Sequence, residues 1–376
     1  MTRRLRIIHC LRAPVGGLFR HVLDLSGAQA ERGHDVGYVI DSSTSDPLTE
    51  RRLAQAAEHL SLGITRIPMQ RLPSLQDFRS TRAVCEAARS KRIDVLHGHG
   101  AKGGAYARLV ARSLRRSDTP VAAFYTPHGG SLHYPPRSIQ GRIYTGIEKI
   151  LAPHTNGLIF ECDFIGRVYD ERVGAQHVPR RAVPNALQPR DFTPHTPNAD
   201  AADFLFIGEL RILKGVDVLL QALARIAAHR SVRAVIVGAG PDAALFRDLA
   251  RTLKIEDKVN FPGAMPAQDA FRLGRCLIVP SRAESMPYIV LEAAAAGVPL
   301  LATSVGGIPE IVSGTDTPLL PPANVDALTQ AMIRFLDAPE VAKARAERLR
   351  AAVADRFTVD RAAEAVLAFY AEQLRR

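Results

Sequence analysis

At 376 residues, with 47% hydrophobic and 23% charged side chains, the chain is too long for one ordinary domain, and its soluble, globular balance excludes extensive disorder. No apolar run reaches the length of a membrane span, and the basic start Met1-Thr2-Arg3-Arg4 lacks the apolar stretch and cleavage pattern of a signal peptide. The formal net charge of +11 lies in the first half: residues 1–190 carry 28 Lys and Arg against 16 Asp and Glu, the remainder 21 against 22. Such an excess can mean nucleic acid, an anionic membrane surface or an acidic substrate; of these, nucleic acid is not the expected partner. Cys10, Cys85, Cys162 and Cys276 are scattered without C-x-x-C spacing, which gives neither a disulfide framework nor a zinc site and suits the cytoplasm.

Short apolar segments alternate with longer amphipathic ones. In the first half, strands are predicted at Arg6 to Leu11, Val36 to Ile40, Asp94 to His97, Val121 to Tyr125 and Gly157 to Phe160, with helices such as Leu18 to Arg32 and Ser74 to Arg89 between them. Gly16-Gly17 opens a helix directly after a strand, where backbone N–H groups can approach a phosphate. A tight structural turn explains the pair equally well. His97 and His99 end one strand and His128 follows the next, on the edge where open parallel sheets bind ligands. Two histidines at that spacing could suggest a metal, but no D-x-D motif occurs. A helix is predicted from Lys102 to Arg116, with Arg108, Arg112, Arg115 and Arg116 forming a stripe opposite Tyr106, Val110 and Leu114. That stripe could rest on anionic lipid or simply be a solvated face.

The Pro-rich stretch from Pro184 to Pro197 breaks the alternation and reads as a linker. Strands then resume at Phe204 to Ile207, Ala234 to Val237, Val259 to Phe261, Leu277 to Val279 and Leu300 to Ala302. Two doubly wound α/β domains follow, residues 1–186 and 187–356, with a final amphipathic helix, Val359 to Leu374, in the segment 357–376. Arg211 and Lys214 lie at the end of the second domain's first strand, where cations could stabilise a diphosphate as charge develops on it. Gly238-Ala239-Gly240-Pro241 is read as a structural turn.

The sharpest signal is Glu284-Ser-Met-Pro-Tyr-Ile-Val-Leu-Glu292, with two carboxylates eight positions apart at the entrance and in the body of a short apolar helix. Ser285 can cap that helix, Pro287 suits its first turn, and Gly297 and Pro299 stop it. Glu292, alone among Ile289, Val290, Leu291 and alanines, is expected to be buried and to need partners. The hydroxyls of a ribose would supply them, and so would a structural backbone N–H.

Together with Gly306-Gly307-Ile308-Pro309-Glu310, Thr126-Pro127-His128-Gly129, Val183-Pro184-Asn185 and Lys214-Gly215, these motifs resemble the retaining family-4 glycosyltransferases of GT-B architecture, in order and over nearly the whole chain. The resemblance implies two Rossmann-like domains facing across a cleft, the C-terminal domain holding a nucleotide-diphosphate sugar and the N-terminal one the acceptor. It implies catalytic roles for His128 and Glu284, and donor contacts from Gly16, Gly17, Arg211, Lys214, Met286, Tyr288 and Glu292. No metal or other cofactor is implied; a UDP-sugar is the expected co-substrate, and a glycan or lipid-linked acceptor in cell-surface polysaccharide assembly is the expected partner. The final helix would cross back onto the first domain.

Two departures stand out. Glu209 occupies a position where relatives carry Arg, which moves that role to Arg211. Pro287 has no N–H, which shifts backbone contacts to Met286, Tyr288 or Ile289. A GT-B nucleotide-sugar epimerase, or a non-catalytic basic module on membrane or nucleic acid, are the competing readings.

Overall fold

The computed structural model describes residues 3–43, 47–70, 76–116, 121–174 and 177–375. The predicted helix start at Ser74 lies outside these residues. The chain divides into two compact units, Met1–Ala186 with Val359–Arg376, and Leu187–Thr358.

The first unit is a seven-stranded parallel sheet in the order β3-β2-β1-β4-β5-β6-β7. Its strands are β1 Arg6–Leu11, β2 Asp35–Asp41, β3 Gly63–Ile67, β4 Val95–His99, β5 Ala122–Thr126, β6 Gly157–Phe160 and β7 Arg180–Ala182. The helices are α1 Gly16–Glu31, α2 Pro47–Ala57, α3 Gln76–Ser90, α4 Gly100–Arg115, α5 Ile139–Leu151 and α6 Asp163–Val173. The central strands β1, β2, β4 and β5 are buried almost throughout, as expected of a parallel sheet covered on both faces.

The second unit repeats the plan with six strands in the order β10-β9-β8-β11-β12-β13. They are β8 Ala202–Ile207, β9 Ala234–Val237, β10 Val259–Gly263, β11 Gly274–Val279, β12 Leu300–Thr303 and β13 Leu319–Leu320. Its helices are α7 Val216–Ala227, α8 Ala243–Thr252, α9 Ala267–Ala270, α10 Tyr288–Ala296, α11 Ile308–Val312, α12 Val325–Asp337 and α13 Pro339–Ala354. One core joins Phe204, Leu219, Leu223, Ile236, Ile278 and Met332.

The last helix, α14 Val359–Leu374, belongs to the first unit. Its Val359, Ala363, Val366, Phe369 and Tyr370 join Leu5, Ile7, Leu25 and Phe124 in one buried cluster. The strands that the apolar pattern misses are β3, β7 and β13, all at sheet edges. Edge strands need fewer apolar side chains, and Gly63-Ile-Thr-Arg-Ile and Arg180-Arg-Ala carry little periodic signal.

The cationic stripe predicted on α4 is corrected by the structure. Arg108 is fully buried: its Nη1 donates to Glu148 Oε2 at 2.8 Å and its Nε to the Gly104 carbonyl at 2.9 Å. Burial opposes the charge on Arg108, but Glu148, also buried and accepting from Tyr125 and Tyr169, outweighs it and holds the guanidinium protonated. Arg115 is half-buried and bonds Asn156 and the His154 carbonyl. Of the four, only Arg112 and Arg116 keep no such inward contact among the described residues.

Candidate active site

In the second unit the polar residues collect beyond the carboxyl ends of β8 and β11, where the strand order reverses and an open α/β sheet takes its ligand. Lys214 Nζ stands 2.7 and 2.8 Å from the two oxygens of Glu284. Ser281 Oγ donates to Glu284 Oε1 at 2.7 Å. The two loops that carry this pair are laced together. Arg282 donates its backbone N–H to the Leu213 carbonyl at 2.8 Å and clamps Asp217 with both guanidinium nitrogens at 2.8 and 2.6 Å.

Gly215, at φ +72°, lies so close to Pro280 that a Cβ there would meet the Pro280 carbonyl oxygen at 2.0 Å. Gly306 does the same from the other side: its Cβ would come 2.2 Å from the Glu284 carbonyl, and Gly307 donates to the Ser285 carbonyl. The Gly306-Gly307 turn therefore seats the Glu284 loop. Gly238 is equally tight against Gly208, which agrees with a structural role for that turn.

Two expectations change here. Helix α10 starts at Tyr288 with Pro287 at its N-cap, so Ser285 is not the cap; the Ser285 carbonyl is already taken by Gly307. Glu292 is half-buried, not enclosed. Tyr288, Ile289 and Glu292 share the one face of α10 that stays partly open, while Val290, Leu291 and Ala293 to Ala296 face the core. Met286 is buried, so only its backbone could serve a ligand. Arg211 is half-exposed and pairs with Glu209 at 3.6 Å. The loop does not bring Arg211 into the Lys214–Glu284 pair.

In the first unit, Gly16 and Gly17 open α1 in exposed positions, Gly16 at φ +62°. Parallel register sets β1, β4 and β5 side by side, pairing His9 with His97 and His99 with Thr126. The result is a cluster of five imidazoles that sequence spacing alone does not reveal. His9 Nε2 bonds Gln29 Oε1 at 2.8 Å, His9 Nδ1 meets His99 Nε2 at 2.9 Å, and His99 Nδ1 meets His128 Nε2 at 3.0 Å. His128 Nδ1 ends the chain 3.3 Å from Glu161 Oε1. His97 is held by Thr126 and by Tyr370 of α14, and His21 by Asn185.

His128 adopts φ +52°, an uncommon conformation for a residue with a side chain and one that often marks a functional position. Burial, aided by the neighbouring imidazoles, holds His21, His97 and His99 well below the usual histidine range, and burial brings His9 down to about 4. His9, His99 and His128 thus form a hydrogen-bonded row, in which burial keeps His9 and His99 neutral, each with one donor and one acceptor nitrogen, so that the row orients the His128 ring.

Two triplets, His9-His97-His99 and His21-His99-His128, bring their nitrogens within 4.8 Å of one another and could hold a metal ion. The hydrogen bonds just described already occupy these nitrogens, except His21 Nε2, which is buried without a partner.

The chain matches two family models, Glycosyltransferase Family 4 over residues 15–190 and Glycosyl transferases group 1 over residues 201–338. It is 24% identical to N-acetyl-alpha-D-glucosaminyl L-malate synthase of Bacillus anthracis, over 96% of this chain and 95% of that protein. It is 26% identical to the phosphatidylinositol N-acetylglucosaminyltransferase gpi3 subunit of Schizosaccharomyces pombe, over 86% of this chain and 71% of that one. Among solved structures, Anabaena HepE in complex with UDP superposes with a TM-score of 0.80 at 16% identity, over 98% of this chain and 100% of that chain. Sucrose-phosphate synthase of Thermosynechococcus elongatus gives 0.79 at 21% identity, over 99% and 100%. At those identities the structures speak for the fold alone. Two parallel sheets built to one plan, with polar loops at their strand ends and family matches over both halves, identify the chain as a family-4 glycosyltransferase of GT-B architecture.

Proposed function

We propose that this glycosyltransferase is retaining and metal-independent, taking a sugar from a nucleotide-diphosphate donor, with a UDP-sugar expected, and passing it to a glycan or lipid-linked acceptor in cell-surface polysaccharide assembly. The observation that carries the reading is the Lys214–Glu284 pair, set by two interlocked loops at the strand ends, with Glu284 in the loop that leads into α10. When the bond from anomeric carbon to phosphate oxygen breaks, negative charge grows on the diphosphate. A fixed ammonium at Lys214, with Arg211 on the same loop, does there what a divalent ion does in other transferases. His128 would sit beside the transferred sugar, and the UDP and UDP-glucose complexes of HepE support a nucleotide-sugar donor.

A screen of nucleoside diphosphates and nucleotide sugars by thermal stabilisation tests the donor, because a bound donor raises the melting temperature by mass action. Turnover of the hit in EDTA tests metal independence, and the anomeric configuration of the product tests retention. No stabilisation by any nucleotide would overturn the reading.

Glu292 is assigned to the donor ribose. Glu292→Ala should weaken UDP binding by about 1–3 kcal/mol in calorimetry while the melting temperature holds, since the side chain lies on the open face of α10. Unchanged affinity would remove the role. Lys214 and Arg211 are separated in the same way. If Arg211→Ala leaves turnover intact while Lys214→Ala does not, the Arg211 assignment fails.

A further inference from the structure

α5 faces the wrong way for a core helix. It buries Glu148 and leaves Ile139, Ile143 and Ile150 at 79, 52 and 69% exposure. At 3.6 residues per turn these three isoleucines fall within about 40° of one another, in a single stripe. The helix cannot roll to hide them, because Glu148 is tied beneath it to Arg108, Tyr125 and Tyr169, and breaking a buried ion pair is costly.

Arg142 and Lys149 flank the stripe, about 60–80° round the helix. With Arg172 and Glu171 they line a shallow basin of net positive charge. On the other flank, Tyr144 and Ile147 lead into a mostly apolar cavity of about 500 Å³ against α4. The α4 residues lining it run from Lys102 through Ala105 to Leu109, two turns along. Arg12 and His99 lie at the Lys102 end, and Lys102 is held by Asp77 at 2.7 Å.

An apolar stripe edged with cations is the pattern of a helix that lies in a membrane interface. We propose that α5 docks the N-terminal unit on an anionic bilayer and that the adjoining groove takes the hydrocarbon chain of a lipid-linked acceptor, its phosphate toward Arg12 and its sugar toward His99. The acceptor assignment rests on the glycosyl-transfer reading above; the docking does not.

Flotation with vesicles of phosphatidylcholine and phosphatidylglycerol at 3:1, without nucleotide, tests the docking. The wild type should float with these vesicles at low salt and little with pure phosphatidylcholine. The triple variant Ile139→Ser, Ile143→Ser, Ile150→Ser should bind at least about tenfold more weakly at an unchanged melting temperature. Arg112→Gln with Arg116→Gln, on α4, should bind as wild type. A wild type that ignores anionic vesicles, or loss of binding in the α4 variant but not in the α5 variant, overturns the proposal.

For the groove, calorimetry should show farnesyl diphosphate binding where inorganic diphosphate does not. Ala105→Trp, and separately Leu109→Glu, should weaken farnesyl diphosphate binding at least about tenfold while UDP binding stays the same. Equal binding of both diphosphates, or of neither, overturns the groove assignment. Failure of the wild type to bind UDP would instead strike the donor reading and leave the vesicle result standing.

Discussion

Lys214→Ala is expected to lower turnover by about a hundred- to a thousandfold, the usual cost of losing one preorganised group aimed at developing charge. Lys214 Nζ lies within 2.8 Å of both Glu284 oxygens, so its position is set before a donor arrives. A cation held in place costs no reorganisation when the leaving diphosphate gains charge, so kcat should fall further than UDP affinity does. Glu284 is buried, and without Lys214 it keeps Ser281 as its remaining close partner among the hydrogen bonds described. The variant should therefore also lose some stability in the C-terminal unit. A cycle with Glu284→Ala separates the two effects. If the residues work as a unit, the double variant is about as slow as the worse single one; additive losses would mean independent roles. A rise in KM at unchanged kcat would reduce Lys214 to uniform donor binding.

Acid should destabilise the N-terminal unit selectively. His9, His21, His97 and His99 all have proton affinities lowered chiefly by burial. In the unfolded chain each binds a proton near the ordinary value of about 6.5, whereas folded His9 does so only near 4. Between those values the unfolded state binds more protons, so this stability is fully present above about pH 6.5 and drains away as pH falls toward 4. His9 alone accounts for about 3 kcal/mol over that interval, and the other three act in the same direction. Calorimetric scans from pH 7.5 to 5 should show the N-terminal transition moving down steeply. The C-terminal one should move less: it carries two histidines, and of these His195, held below the usual range chiefly by burial, is only partly buried. A His9→Gln variant should have a shallower slope by the share of one proton. A melting temperature flat across that range in the wild type would mean that these imidazoles titrate alike in the folded and unfolded chain, and the neutral row beside His128 would be lost with that.

Much of the molecule was written in local pattern. The alternation of apolar segments determined both parallel sheets, because a strand buried on two faces must be a continuous apolar run, and β1, β6 and β9 have the bounds that pattern predicts. The amphipathic period of α14 and the glycine stop of α10 are local in the same sense. Glu284, Glu292 and Gly306-Gly307 stand out in sequence because chemistry at a strand end demands particular residues at fixed short spacing.

What escaped depends on neighbours distant along the chain. Lys214 and Glu284 are 70 positions apart, and only the adjacency of β8 and β11 joins them. The row of imidazoles draws on β1, β4 and the turn after β5, whose contact follows from the parallel crossovers and not from any motif. Arg108 reads as one more cation in a solvated stripe until Glu148, 40 residues on, is found opposite it. The same pair fixes the rotation of α5 and turns its isoleucines outward. A sequence reports which side chains are apolar or charged, but which face of a helix is covered is decided by what packs against it, and that only the tertiary structure supplies.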